Sequence, residues 1–180
     1  WQHYLYTQDA DFLRNAFPTM KSACQYWMDI LKESNGVYLC PSEYSPEHGP
    51  DNEDGVAYAQ QLVAELFANT LDACKVLGVS IDGLQNKYDK LDKGMSKETY
   101  KSGTYGGFLG IGGTKWPNPM NGVSSGTEIL REWKTSNFYA GQMSHRHLSP
   151  LMCLYPFDQI TDEDIRKAAQ NLLTFRGDDS

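Results

Sequence analysis

Four stretches of the chain place apolar residues three or four positions apart, the pattern of helices with one buried face. The first covers residues 1–33 and contains Pro18. This spacing predicts one helix that ends near Ala16 and a second that begins with Pro18 in its first turn, capped by Asn15. A single helix kinked at Pro18 fits the same pattern. Asn35-Gly36 predicts the end of this helical region.

The second stretch, residues 56–77, has the widest apolar stripe, and Gly78 follows it where glycine can end a helix. The stripe comprises Ala59, Leu62, Val63, Leu66, Phe67, Thr70, Cys74 and Leu77. Ser80 predicts the cap of a shorter third helix. Near the other end of the chain, Thr161 and Asp164 have the spacing of a capping box, which predicts a final helix.

Residues 94–126 are rich in glycine and proline, which excludes long helices there. The glycine-rich run 106–113 resembles a phosphate-binding loop, but no strand precedes it and no helix begins directly after it. We interpret 94–126 as a long loop, with room for a short hairpin, at the rim of a site. Because strands do not alternate with helices, the pattern predicts an all-α fold of paired helices joined by loops.

Composition narrows the possible functions of the 180 residues, which suffice for one domain. A net charge of −7 argues against a general affinity for nucleic acid or anionic membranes. No apolar run approaches the roughly 20 residues that span a bilayer. The cysteines have no zinc or redox spacing, so we expect buried free thiols at Cys24, Cys40, Cys74 and Cys153. The chain starts at Trp1 without methionine or signal peptide, and we expect it to belong to a longer polypeptide.

The loop at residues 40–50 carries the most distinctive candidate chemistry. Its three prolines restrict the backbone and so hold the side chains between them in fixed directions. Glu47 lies between Pro46 and His48, where a folded loop could desolvate it and raise its pKa into the range of a proton donor. A proline-rich connector with solvated charges is the alternative interpretation.

Two further motifs are candidates for binding. His145-Arg146-His147 could supply a metal pair, hydrogen-bond donors for a polyhydroxylated ligand, or structural partners for acidic groups. No further ligand set accompanies the histidines, so metal is the weakest of these hypotheses. Glu132-Trp133 could supply an aromatic platform and a carboxylate for a sugar ring, or a core tryptophan beside a surface glutamate. No serine or cysteine nucleophile with an adjacent base is recognisable.

Taken in order, several segments resemble glycoside hydrolase family 95, which comprises α-L-fucosidases and α-L-galactosidases. The resemblance covers residues 1–78 and 127–180. The similar segments are Trp1-Gln2-His3-Tyr4-Leu5-Tyr6-Thr7-Gln8-Asp9, Phe12-Leu13, Pro18-Thr19-Met20-Lys21, Cys40-Pro41-Ser42, Ser45-Pro46-Glu47, Glu132-Trp133, His145-Arg146-His147-Leu148-Ser149, Leu154-Tyr155-Pro156 and Phe175-Arg176-Gly177-Asp178.

The resemblance implies that residues 1–180 form an arc of one (α/α)6 toroid catalytic domain, with 94–126 as a loop insertion. It implies inverting hydrolysis of α-L-fucosyl or α-L-galactosyl linkages in an oligosaccharide or polysaccharide, without a cofactor or metal. Glu47 would be the general acid, and Arg146 and His147 would hold sugar hydroxyls, with His145 and Trp133 supporting the pocket. The family also implies a secreted or periplasmic protein, whose catalytic domain the rest of the polypeptide would complete.

The chain also departs from the family pattern. The asparagines and the aspartate with which the family activates water belong to segments absent from these residues. Ser149-Pro150 stands where the family has Ser-His, and His48 stands where asparagine is common. We therefore expect the isolated chain to lack turnover. A non-catalytic carbohydrate-binding or interaction module on the same helical scaffold is the alternative.

Overall fold

A computed structural model describes residues 1–46, 52–101, 104–105, 114–115, 123–136 and 147–176, and its regular structure is mainly helical. The helices of this part are α1 (Gln2–Thr7), α2 (Ala10–Ile30), α3 (Ala57–Leu77), α4 (Leu84–Lys90) and α5 (Glu163–Arg176). Its strands pair antiparallel as β1 (Lys32–Ser34) with β2 (Val37–Leu39), β3 (Lys97–Thr99) with β6 (Glu128–Leu130), and β4 (Thr104–Tyr105) with β5 (Thr114–Lys115). The mainly helical prediction is confirmed, but "all-α" omits these short strands.

The break in the first helical stretch lies at Gln8, not at Pro18 as predicted. Gln8 has a left-handed φ of 56°, and the Asp9 carboxylate caps α2 by accepting from the backbone N–H groups of Asp11 and Phe12. α2 then continues through Pro18, as the single-helix alternative required. An internal proline costs about 3 kcal/mol in a helix. Burial of one face of α2 on both sides of Pro18 offsets this cost.

Asn35-Gly36 forms the tight turn between β1 and β2 and does not directly follow the helix end. Both residues have positive φ, 52° and 82°, as a two-residue hairpin turn requires. α2 ends at Ile30, five residues earlier than this pair. The predicted helix end was therefore wrong, because a helix stop and a hairpin turn use the same kinds of residue.

α3 is the central element, and its predicted bounds are confirmed to within one residue. Gly78 ends it with a left-handed φ of 66°. Leu62, predicted in the buried stripe, is exposed, whereas Gln60 and Gln61 are fully buried. α4 begins after Gly83, so Ser80 does not cap it as predicted.

α5 begins at Glu163 and packs against β6. Its N-terminus is capped by Asp162, which accepts from the backbone N–H groups of Asp164 and Ile165 at 2.7 and 3.1 Å. The predicted capping box therefore begins one residue too early, at Thr161.

Two hydrophobic clusters form the interior. The N-terminal cluster joins α2, α3 and α4, and it comprises Cys24, Leu31, Cys40, Ala59, Val63, Ala64, Phe67, Leu84 and Leu91. The C-terminal cluster joins β6, the turn at Ser149–Leu151 and α5, and it comprises Val56, Tyr100, Val123, Ile129, Leu130, Trp133, Leu151, Cys153, Ile160, Ala168, Ala169, Leu172 and Phe175. All four cysteines are free and buried, as predicted.

The stretch 94–126 contains short strands in the part that the structure describes. β4 and β5 pair as a hairpin, for which the sequence left room, and β3 joins β6 at the edge of the C-terminal cluster. None of the described helices combines the length and apolar character needed to cross a membrane.

Candidate active site

The structure describes some of the predicted site residues and not others. Glu47, His145 and Arg146 lie outside the described residues, whereas Trp133 and His147 lie within them. Pro46, next to Glu47, and His147, next to Arg146, are described. The described residues that flank these loops, in and next to 40–56 and 137–150, define the geometry around the candidate site.

The loop of residues 40–56 is closed at its base by backbone hydrogen bonds. Gly55 donates to the Cys40 carbonyl at 2.9 Å, and Glu43 and Glu53 exchange two backbone hydrogen bonds of 3.0 Å each. The Cys40 N–H donates to the side-chain oxygen of the buried Gln60 on α3. The two sides of the loop therefore form a narrow ladder that is fixed to α3.

Acidic side chains reinforce this base. The Asp54 carboxylate accepts from the Ser42 N–H at 2.8 Å and from the Lys32 ammonium at 2.9 Å, and the hydrogen bond from Lys32 is the main reason that the pKa of Asp54 is lowered. Glu43 accepts from the Tyr58 hydroxyl at 2.8 Å. Burial, followed by this hydrogen bond to Glu43, raises the pKa of Tyr58 to about 12. Tyr58 therefore stays a neutral donor at physiological pH.

Glu53 ties the same loop to residues 135–136. Its carboxylate accepts hydrogen bonds from the backbone N–H and the hydroxyl of both Thr135 and Ser136. Burial alone would raise the pKa of Glu53, but these four donors outweigh it and hold the pKa below its usual value of 4.5. Glu53 is therefore an anion that holds residues 135 and 136 against the base of the loop.

The carboxylate of Glu132 joins three separate segments of the chain. The hydroxyls of Ser45 and Ser149 both donate to its Oε1, the latter at 3.0 Å, and the Arg176 guanidinium donates to its Oε2 at 2.6 Å. The two serine hydroxyls are themselves 3.3 Å apart. The backbone carbonyl of Glu132 also accepts from the Ala57 N–H, the first residue of α3.

This group of charges is enclosed by the protein. Glu132 is 2% exposed and Arg176 is 1% exposed. Burial lowers the pKa of Arg176, and the charge of Glu132 counteracts that change. Taking two charges out of water costs several kcal/mol each unless pairing and hydrogen bonds compensate. The ion pair with Arg176 and the two serine hydroxyls, which all contact the Glu132 carboxylate, provide part of that compensation.

Glu132-Trp133 differs from both interpretations of the sequence. Trp133 is 1% exposed and belongs to the C-terminal cluster, so its indole offers no face on which a sugar could stack. Its core position matches the structural alternative and leaves room for a supporting role behind a pocket. Glu132 is not the surface glutamate of that alternative, because it is buried and ion-paired. His147 is half-buried and lies two residues before Ser149.

Metal and thiol chemistry find little support in the described residues. Within the described ranges, no three His, Cys, Asp or Glu side chains converge in a way that could hold a metal ion. His145, one member of the predicted His145 and His147 pair, lies outside those ranges. Burial raises the pKa of Cys40 to about 12 and that of Cys153 to about 11, so both remain thiols at neutral pH.

Sequence reasoning missed three members of the Glu132 group: Ser45, Ser149 and Arg176. A signal for Arg176 was present, because it lies four residues after the buried Leu172 on the inner face of α5. A charged residue on an apolar helix face indicates a buried ion pair. Ser45 and Ser149 have no such local signal, since they contact Glu132 across long stretches of chain.

Comparisons with known proteins agree with the resemblance seen in the sequence. The model of the "Glycosyl hydrolase family 95 catalytic domain" matches residues 1–180. Alpha-L-fucosidase 2 from Arabidopsis thaliana is 26% identical over 192 aligned residues, which cover 99% of this chain and 20% of that protein. The chain thus spans about a fifth of the length of this relative. Because the family model matches throughout, the chain belongs to the glycoside hydrolase family 95 catalytic domains.

Proposed function

We propose that this chain forms part of the active site of an inverting glycoside hydrolase that cleaves terminal α-L-fucosyl or α-L-galactosyl linkages in glycans. Family membership and the similarity to an enzyme named as an α-L-fucosidase support this function. One observation carries it furthest. Ser45, two residues before Glu47, and Ser149, two residues after His147, both donate to the carboxylate of Glu132. Described residues that lie two positions from the candidate proton donor and two positions from the candidate sugar-binding residue His147 therefore meet at one carboxylate, which supports the proposal.

The proposed chemistry assigns separate roles to these motifs. Glu47 protonates the glycosidic oxygen as the bond to the leaving group breaks, and Arg146 and His147 hold sugar hydroxyls. In inverting enzymes a second carboxylate activates water on the opposite face of the sugar, about 6.5–9.5 Å from the acid. No segment of this chain resembles the part of the family that activates this water. We accordingly expect the 180 residues alone to bind sugar without turnover.

The same proposal extends to architecture and location. The described helices would form an arc of an (α/α)6 toroid that further residues of the polypeptide close. The residues 94–126 would then lie at the rim of the toroid opening. A protein that removes fucosyl groups from glycans meets them outside the cytoplasm, so we propose secretion or a periplasmic location.

The decisive experiment replaces Glu47 with glutamine in the full-length protein that contains these 180 residues. With an α-L-fucoside that carries a poor leaving group, kcat should fall by about 10²–10⁴, the usual contribution of general acid catalysis. With a nitrophenyl α-L-fucoside, which needs less protonation, the loss should be much smaller. Glu43→Gln is the matched control on the same loop, because the amide oxygen can still accept from Tyr58, and its kcat should stay within a few-fold.

A kcat for Glu47→Gln within a few-fold of wild type on the poor substrate would show that Glu47 is not the acid. The non-catalytic alternative makes a different prediction. Fucose or galactose binding would then occur without any turnover, persist in Glu47→Ala and disappear in Arg146→Ala. Calorimetric binding measurements with the same proteins distinguish these outcomes.

A further inference from the structure

Glu132 lies where the two functional loops of the proposed active site meet, yet its carboxylate is closed off from solvent. We propose that Glu132 is a positioning residue, which sets the loop that carries Glu47 through Ser45 and the segment that carries His147 through Ser149. The roles of the two loops rest on the proposed function. The contacts themselves do not, because they are fixed by the geometry of the buried group.

The two serines lie close in the chain to the proposed site residues. Two residues of chain span at most about 7 Å, so the position of Ser45 constrains that of Glu47 closely. Pro46 stands between them, and its fixed φ removes part of the freedom that a flexible linker would have. Ser149 stands in the same relation to His147, and Pro150 follows it at the start of a short 3-10 turn. A displacement of either serine must therefore be passed on to the neighbouring site residue.

The two carboxylate oxygens of Glu132 have different hydrogen-bond partners. Oε1 accepts from both serines, while Oε2 takes the Arg176 guanidinium. Arg176 comes from α5, and the Glu132 carbonyl is bonded to the first residue of α3. Glu132 is thus held by two helices, by α5 through its carboxylate and by α3 through its backbone carbonyl, and its carboxylate in turn holds Ser45 and Ser149. A neutral amide in its place has one acceptor oxygen instead of two and leaves a buried guanidinium beside a hydrogen-bond donor.

The contacts of Glu132 to Ser45 and to Ser149 should have different effects on catalysis. Loss of the Ser45 hydroxyl should disturb the proton donor, which matters most when the leaving group is poor. Loss of the Ser149 hydroxyl should disturb sugar binding, which affects KM for poor and activated substrates alike. A merely structural residue would lower the amount of folded enzyme and so reduce all rates by one common factor. The ratio of kcat values for two substrates does not depend on the amount of folded enzyme.

The experiment uses the full-length protein with a nitrophenyl α-L-fucoside and an α-L-fucoside with a poor leaving group. Ser45→Ala should lower the ratio of kcat on the poor substrate to kcat on the activated one by about tenfold, because small misplacements of a catalytic group cost that much or more. Ser149→Ala should raise KM several-fold and leave the ratio unchanged. Glu132→Gln should do both. Glu65→Gln, a partly buried glutamate on α3 that accepts from Asn69 and Gln159, is the control and should do neither.

Equal losses on both substrates with unchanged KM in Ser45→Ala and Ser149→Ala would overturn the proposal, whether or not Glu132→Gln folds. If the wild type cleaves neither substrate, the proposed function fails, and hydrogen exchange then decides the positioning role. Peptides covering 43–50 and 143–150 should exchange at least about tenfold faster in Ser45→Ala and Ser149→Ala respectively, since local opening follows the lost anchor. Unchanged exchange in both peptides would overturn it.

Discussion

The two hydrophobic clusters differ in the polar groups that they enclose. In the N-terminal cluster the buried polar contacts are neutral, such as the Cys24 thiol that donates to the Thr70 hydroxyl at 3.3 Å. The C-terminal cluster borders a buried ion pair. Glu132 directly precedes the cluster residue Trp133, and Arg176 directly follows the cluster residue Phe175. The N-terminal cluster holds the base of the 40–56 loop at Cys40, whereas the ion pair beside the C-terminal cluster contacts Ser45 and Ser149 closer to the candidate site residues.

The difference between the clusters predicts which single substitutions lower the free energy of unfolding most. In an apolar cluster, a substitution lowers the free energy of unfolding by an amount that grows with the number of methyl groups removed. A buried ion pair loses more when one partner is removed, because the remaining charge stays buried without compensation. Substitutions in and between the two clusters test this difference.

The largest effect is expected for Arg176→Met. This change leaves the Glu132 carboxylate in the interior without its partner cation, so the free energy of unfolding should fall by about 3–5 kcal/mol. Arg166→Met is the matched control on the same helix, because its ion pair with Glu163 is solvent-exposed. The control also loses a partly buried hydrogen bond to the Ile160 carbonyl, so it should change stability by about 1–2 kcal/mol. Urea denaturation measures both, and equal effects would remove the contrast.

The next effect concerns Gln61, which connects the two clusters. Its side chain donates to the carbonyls of Gly94 and Pro150 at 2.9 and 2.8 Å and accepts from the Cys153 N–H at 2.8 Å. Gln61→Met keeps the volume but leaves three backbone groups without this partner. Each orphaned group costs about 1–3 kcal/mol, so we expect a loss of about 3 kcal/mol in a thermal or urea melt. A loss below 1 kcal/mol would show that these bonds are not needed.

A smaller effect is expected inside the N-terminal cluster. Val63 is fully buried on α3, and Val63→Ala removes two carbon atoms, which should cost about 2 kcal/mol including the cavity. Because Val63 contacts neither Glu132 nor its partners among the described residues, kcat of the folded enzyme should stay unchanged. A selective loss of kcat on the poor substrate would contradict the separation of the two regions.

The smallest effect is a pH dependence at Glu53. Its pKa in the folded protein is below the 4.5 expected for the unfolded chain, so the bonds to Thr135 and Ser136 stabilise the fold fully above pH 4.5. This contribution should decrease as the pH falls from 4.5 through the lower pKa of the folded protein. Glu53→Gln should flatten that part of the stability–pH curve. Identical curves for both proteins would show that Glu53 does not contribute.

How much the sequence predicted differs between the same two regions. The bounds and the terminal Gly78 of α3 follow from local periodicity, and the structure has them within one residue. The predicted helix break at Pro18 was wrong because the burial of one face of a long helix outweighs the tendency of proline to end a helix. Asn35-Gly36 was misassigned because a positive φ serves hairpins as well as helix ends.

The candidate site was predictable only as a set of motifs. Ser45 and Ser149 contact Glu132 across sequence separations of 87 and 17 residues, and Arg176 does so across 44. No local periodicity encodes such contacts, since they depend on how β6, α5 and the loop at 40–56 pack together. The family resemblance placed Glu47 and His147 in one site, whereas only the structure reveals the buried carboxylate between their loops.

The central claim is that one carboxylate couples the Ser45 and Ser149 segments. A double-mutant cycle of Ser45→Ala and Ser149→Ala, read from free energies of unfolding, tests it most directly. Because both hydroxyls donate to Oε1 of Glu132 and lie 3.3 Å from each other, we predict a coupling energy of at least about 0.5 kcal/mol, as for residues in one hydrogen-bond network. Losses that simply add, within about 0.3 kcal/mol, would contradict the account.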